Sequence, residues 1–330
     1  ALGGLWTPAQ AQDRGFRVAT GSYLGDDADF RSVTGVGFRP DLLLVKGTGA
    51  EGSVLKLRTM AGALSKPLGE AVTVSAQDIT SLDADGFGIS RTGNRTNRNG
   101  QTYHWVAMAS AGGALRYGSY VGDGSDDRLI SDVGFAPGYV LVMGEGATLP
   151  MQRFAGMAED QSISFDKETV LADCIQTFRA DGFVVGADAR VNQVGVVYHW
   201  VCLAADAADM AQGSYLGDDM DNRDFSTPGL GPAWLIIKQA QSAEAAVQRM
   251  RGVDGDLTLR VNDEGSRSDA IQELRPDGFQ LGKDNSVNDK DRDYWWVAFQ
   301  DSPYLDLRID AGVDRPFPAE GDLLTLSPVS

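Results

Sequence analysis

Histidine and cysteine are almost missing from this 330-residue sequence, with two of each. A serine–histidine–aspartate triad or a three-histidine metal site has too little material, and two thiols cannot form a four-ligand zinc site. Cys174 and Cys202 belong to no C-x-x-C pair. Both lie in apolar, strand-like surroundings and are expected as buried free thiols, with a single disulfide as the alternative. Positive charge is also short. Twenty-nine basic against 46 acidic residues leave a net charge of −17, which disfavours nucleic acid and anionic lipid as partners. No apolar run approaches the roughly 18 residues of a membrane-spanning helix, so no membrane insertion is expected. The 40 glycines follow no three-residue period, which excludes collagen. The 42% hydrophobic content is that of a folded protein with room for two or three domains.

What the sequence does contain is a motif repeated three times. Gly21 to Asp26 (GSYLGD) recurs as Gly118 to Asp123 (GSYVGD) and Gly213 to Asp218 (GSYLGD). Five residues after each aspartate stands an arginine, Arg31, Arg128 or Arg223. Apolar runs follow at Leu42 to Lys46, Tyr139 to Met143 and Trp234 to Lys238, then a second arginine, read as Arg58, Arg153 and Arg249. Asp-Gly-Phe turns occupy 85–87, 181–183 and 277–279. Asn97, Asn192 and Asn288 each precede a closing aromatic strand that carries Trp105, Trp200 or Trp296. The period, about 95 residues, is longer than that of solenoid or propeller repeats, so each copy is expected to own a core.

Within each copy, short segments rich in Val, Ile, Leu and aromatics alternate with Gly, Asp, Asn and Pro turns, the pattern of an all-β fold. Ser242 to Met250 is the best helical candidate, although the other copies read as strand there. The expected architecture is three tandem β-sandwiches with jelly-roll or Greek-key connections, over residues 15–110, 111–205 and 206–302, flanked by arms 1–14 and 303–330. The wholly apolar runs predict strands covered on both faces.

The recurrent polar residues admit two readings. Asp26 and Asp29, Asp123 and Asp126, and Asp218 and Asp221 form acidic loops that are candidates for calcium, the one cofactor the sequence suggests. Because an arginine follows each cluster, an Asp–Arg pair fixing a turn is the preferred reading. Arg58, Arg153 and Arg249 are expected to pack their stems on apolar surface and pair internally, rather than to bind a carboxylate or sugar. Asn97, Asn192 and Asn288 are expected to satisfy backbone groups in a turn. His104 and His199 align with Trp295, so that position is read as packing space rather than a proton shuttle. No carboxylate pair can be assigned acid and base roles, and no enzyme is expected.

Taken in order, GSYLGD, Gly37 to Leu42 (GFRPDL), Asp85 to Phe87, and Asn97 followed by Tyr103 and Trp105 resemble a repeat of phage tail-fibre proteins and secreted bacterial surface proteins. The resemblance spans residues 15 to 300 and implies a lectin-like β-sandwich used in extracellular fibres; it transfers no catalytic residue. The third copy departs from it at Gly229 to Pro232, where the phenylalanine is absent. The segment Leu305 to Thr325 is similar to the opening strands of another bacterial surface repeat domain.

The arms supply a candidate assembly interface. Leu2, Leu5 and Trp6 at one end, and Leu305, Leu307, Ile309, Leu323 and Leu324 at the other, are apolar groups expected to pack on, or add a strand to, a neighbouring copy. The alternative is that both arms fold back on their own domains. The functional expectation is a secreted structural subunit of an extracellular filament, fibre or surface layer that forms a homo-oligomer or polymer. The second expectation is an adhesin or tail-fibre module on a cell surface or virion that binds a surface glycan or receptor.

Overall fold

A computed structural model describes residues 15–301 apart from 228, 242 and 243. Both terminal arms, with every interface residue named above, lie outside the described residues.

The first repeat comprises β1 (Phe16–Leu24), β2 (Arg31–Thr34), β3 (Leu42–Gly47), β4 (Val54–Leu57), β5 (Lys66–Pro67), β6 (Ile79–Asp83), β7 (Gly86–Ile89) and β8 (Thr102–Ser110). The second follows with β9 (Leu115–Val121), β10 (Arg128–Ile130), β11 (Pro137–Gly144), β12 (Met151–Phe154), β13 (Ile163–Ser164), β14 (Ile175–Arg179), β15 (Gly182–Val185), the single-turn α1 (Ala189–Asn192) and β16 (Val197–Ala204). The third has β17 (Met210–Leu216), β18 (Arg223–Ser226), β19 (Pro232–Gln239), β20 (Val247–Met250), β21 (Leu259–Arg260), β22 (Ile271–Arg275), β23 (Gly278–Leu281), α2 (Asn285–Asn288) and β24 (Asp293–Gln300). The helical candidate at 242–250 is not helical where it is described: residues 244–246 are irregular and Val247–Met250 is strand β20, with Val247 and Met250 buried among β-sheet partners, so tertiary packing overrides local propensity there.

Each repeat is an antiparallel sandwich. In the first, a five-stranded sheet ordered β1-β8-β3-β4-β5 packs on a three-stranded sheet ordered β2-β7-β6, and the other two repeats have the same orders. Pairing of the first strand with the last and the second with the seventh nests the chain as a jelly roll does, while strands three to five form a meander. Among the described residues no helix is long and apolar enough to cross a membrane.

The all-apolar strands have a specific cause. Along β3, Leu43 and Val45 face the first repeat's own core with Phe87, Tyr103 and Trp105. Leu42 and Leu44 face the opposite way, into a cluster shared by all three repeats. At its centre Leu42, Tyr139 and Trp234 occupy equivalent strand positions, as do Met108, Leu203 and Phe299, and they close around a cavity of only about 20 Å³. The central strands β3, β11 and β19 of the large sheets are thus buried on both faces. The first and third repeats own separate cores, while the core of the second is continuous with the cluster common to all three, so the repeats are not independent beads.

The seams repeat with threefold regularity. Val74 of the first repeat donates its amide to the Glu145 carbonyl of the second at 3.1 Å, and Val170 of the second donates to Ala240 of the third at 3.0 Å. Ser266 Oγ of the third closes the cycle on Thr48 O of the first at 3.0 Å. A second set links the Ser53 amide to Val261 O and the Ala246 amide to Phe165 O, both at 2.8 Å. Its third member is missing because the equivalent residue, Pro150, has no N–H to donate. The chain is a closed pseudo-threefold ring.

Candidate functional site

The polar groups that recur in sequence converge at the loop between the first and second strands of each repeat. Asn192 is fully buried. Its Oδ1 accepts from the Asp123 amide at 3.0 Å and Arg128 Nη1 at 3.1 Å, while Nδ2 donates to Asp123 Oδ1 and Ser125 O. Asn97 makes the same set with Asp26, Arg31 and Ala28 O, and Asn288 with Asp218, Arg223 and Met220 O. Each arginine lies about 5 Å above a tyrosine ring, Arg31 on Tyr23, Arg128 on Tyr120 and Arg223 on Tyr215. Its guanidinium also meets the loop aspartate, at 3.3, 3.3 and 3.2 Å. The backbone amide of Ala28 and the Asn97 side chain hold the Asp26 carboxyl below its ordinary range; for Asp123 the amide of Ser125 is the leading cause.

These are the partners of a turn-fixing network, and they occupy the oxygens a cation would need. The outer carboxylates also turn to protein groups: Asp29 to Arg91, Asp126 to Gln176, and Asp221 to Gln272. Among the described residues no group of three or more His, Cys, Asp or Glu side chains is placed to hold a metal ion.

The arginine series requires a correction. Strand register sets Lys56 opposite Leu43, Arg153 opposite Val140 and Arg249 opposite Leu235, so Lys56, not Arg58, is the third equivalent. All three cations point along the strand into a loop of carbonyls: Lys56 Nζ donates to Leu64 O, Arg153 to Gln161 O and Arg249 to Leu257 O. Arg58, two residues on, instead pairs with Asp41 at 2.9 Å. Matching residue type misaligned the first copy because the fold needs a buried cation there rather than a guanidinium.

Trp105, Trp200 and Trp296 lie flat on the glycine of the GSY motif. A Cβ at Gly21 or Gly118 would run into the indole ring, and one at Gly213 would press tightly against it. The histidines occupy the repeat-to-repeat seams. His199 Nδ1 lies 2.9 Å from Thr59 Oγ1 of the first repeat and its Nε2 lies 3.0 Å from Glu145. At the equivalent position Trp295 stacks on Phe154 of the second repeat at 5.9 Å. His104 faces Arg249 and Asp254 of the third, with a buried Nδ1 that has no partner. Burial lowers the pKa of both histidines. Cys174 and Cys202 are buried free thiols in the core.

Sequence reasoning missed Lys46 and Lys238, fully buried at the ends of two apolar runs. Lys46 Nζ donates to carbonyls of its own loop, including Gly49 O at 3.1 Å, and across the seam to Asn262 O and Glu264 O. Lys238 Nζ reaches Glu168 O, Gln239 O and Glu244 O. Burial brings each down to about 8. The second repeat has Met143 at this position, and there Lys66 crosses the seam to Gly146 O at 2.7 Å. The available signal was a lysine closing an otherwise apolar strand.

Phe30 was also missed. It is 81% exposed and holds a φ of 58°, a conformation that the other copies assign to Asp127 and Asn222. Asn and Asp tolerate that region; a bulky aromatic does so under strain.

A family described as "Domain of unknown function (DUF7483)" matches residues 16–115. That span is the first repeat through the start of β9. No curated protein matches the chain.

Proposed function

We propose that the protein is a secreted, non-enzymatic structural subunit of an extracellular filament, fibre or surface layer, assembling through its terminal arms or by strand addition. The observation that carries this reading is the meeting of chain entry and exit. Asp209 Oδ2 accepts the Phe16 amide at 3.0 Å, and the Asp209 carbonyl accepts the Gln300 amide at 3.1 Å. The first and last described strands therefore meet at one place on a ring whose head-to-tail joints are already closed within the chain. Growth into a polymer then falls to the arms and to free sheet edges. The resemblance to tail-fibre and bacterial surface repeats supports the same class, as does the engagement of the recurrent polar residues with scaffold groups.

Negative-stain microscopy and light scattering of the full-length protein, beside versions lacking 1–14 or 303–330, test the proposal. Polymers that disappear with an arm support it; monomers in all three samples overturn it. A second reading, an adhesin or tail-fibre tip, is favoured by Phe30, a strained and exposed aromatic beside acidic residues. Selective binding on a glycan array that is lost in Phe30→Asn would establish that reading.

A further inference from the structure

Exposed apolar surface is concentrated at one corner of each repeat. Of the seven large apolar side chains that stand exposed among the described residues, six lie around the loop between the first and second strands. Leu24, Val121 and Leu216 follow the tyrosine of the GSY motif in the three copies, at the end of the first strand, and each is more than half exposed. Each copy adds a second from a different position: Phe30, Val194 or Met220. A Cβ on Gly124 of the acidic loop would lie 3.0 Å from Val194 Cγ2. The scaffold does not call for these second residues. Where the first copy has Phe30 the others have Asp127 and Asn222; Val194 answers to Asn99 and Lys290, and Met220 to Ala28 and Ser125. Three copies thus arrive at an exposed apolar pair by three different substitutions, which packing within a repeat does not explain and contact with a partner does.

Carboxylates surround each pair. Residues 25–31, 122–128 and 217–223 each contain three aspartates and one arginine, and that arginine is laid over its tyrosine. Asp26, Asp123 and Asp218, although paired, keep 42–50% of their side-chain surface exposed. Because the ring relates the copies by rotation, the three corners stand at one level around it. We propose that each corner docks a basic, amphipathic protein segment, so that one chain takes three. Such a segment covers the apolar pair with its own apolar side chains, and its cations meet the outward aspartates. A second ring does not fit as the occupant, since it would bring the same aspartates against each other, and anionic lipid fails on the same ground. The proposal concerns the body of the molecule and goes beyond the filament reading, which concerns the arms.

The probe is a helical leucine–lysine peptide, titrated into the full-length protein by calorimetry at low salt beside a polylysine of equal charge. Three equivalents are expected per chain, bound at least about tenfold more tightly than polylysine. Leu216→Ser with Met220→Ser, and separately Val121→Ser with Val194→Asn, each remove one corner and are expected to leave two. All four residues are exposed, and serine and asparagine are what other copies carry at the Met220 and Val194 positions, so thermal unfolding is expected to match the parent. Equal affinity for peptide and polylysine would mean that charge alone acts and would overturn the proposal, as would three equivalents retained by either variant. Binding that appears only after removal of 1–14 or 303–330 would assign the corners to the chain's own arms, and binding of phosphatidylcholine vesicles in place of the peptide would assign them to a membrane; each of these results overturns it as well. Polymer formation is no part of the readout, so the filament reading stands or falls separately.

Discussion

The buried asparagine is where a single side chain holds most local structure. One amide satisfies an acidic loop, an arginine and two backbone groups, so its removal leaves several buried partners unpaired. Asn192→Ala is expected to cost about 2–4 kcal/mol in urea denaturation, because each orphaned buried group carries its own desolvation penalty. A loss near zero would show that water serves the loop equally well. Millimolar calcium is expected to leave the melting temperature unchanged, since Arg128 and Asn192 already meet the Asp123 carboxylate; a rise of several degrees would contradict this. The seam histidines set the acid response. Burial depresses both, so the folded protein holds them neutral while the unfolded chain takes up protons near an ordinary value of roughly 6.5. Their contribution is fully present above that pH and is lost as the pH falls toward the lower folded values. Lys56 and Glu145 oppose each other around His199, and Arg249 and Asp254 around His104. Denaturant midpoints at pH 7.5 and 5.5 are expected to differ less for His199→Gln than for the parent.

At the scale of strands, the buried lysines carry a cost and a specificity. Lys238→Met places in the third repeat what Met143 already places in the second, yet it strips the donor from Glu168 O, Gln239 O and Glu244 O. The expected destabilisation is about 2–4 kcal/mol, in the range for leaving buried acceptors unsatisfied, measured by equilibrium unfolding. A neutral result would mean that the seam relaxes to admit methionine. Much of the strand layout was legible because it is encoded locally: the Asp-Gly-Phe turns and the asparagine before the closing aromatic strand fall where the spacing put them, whereas the packing of the GSY glycine on the indole of that strand did not show in the sequence. Less legible was the partner of each apolar strand. Leu42 to Val45 announces burial on both faces, but nothing within the run says that Leu42 and Leu44 meet Tyr139, Leu141, Trp234 and Ile236 from the other repeats. The register of the second cation was misread for a related reason. The strand places a side chain, and Lys56 satisfies its carbonyls as Arg153 does, so residue identity was a poor guide to position.

The whole molecule behaves as an assembly of three copies written into one chain. Each joint is heterologous, running first to second, second to third and third to first, and heterologous contacts close only when the rotation between copies fits the ring. Detaching one repeat would expose Leu42, Leu44, Leu55, Val106 and Met108, which are nearly fully buried in the ring. At roughly 1.5–3 kcal/mol for each large apolar side chain taken from water, that face is too costly to leave solvated. Residues 15–110 expressed alone are therefore expected to associate, with three copies rebuilding the common core from identical faces. Both edges of the joint are present in one repeat: Val74 to donate, and the Thr48 carbonyl to accept. Sedimentation equilibrium is expected to give a trimer, and Leu44→Asp to shift it toward monomer or unfolded chain. A stable monomeric repeat would mean that the private core of Leu43, Val45, Phe87 and Trp105 suffices, and that the central cluster joins the copies without being needed to fold them.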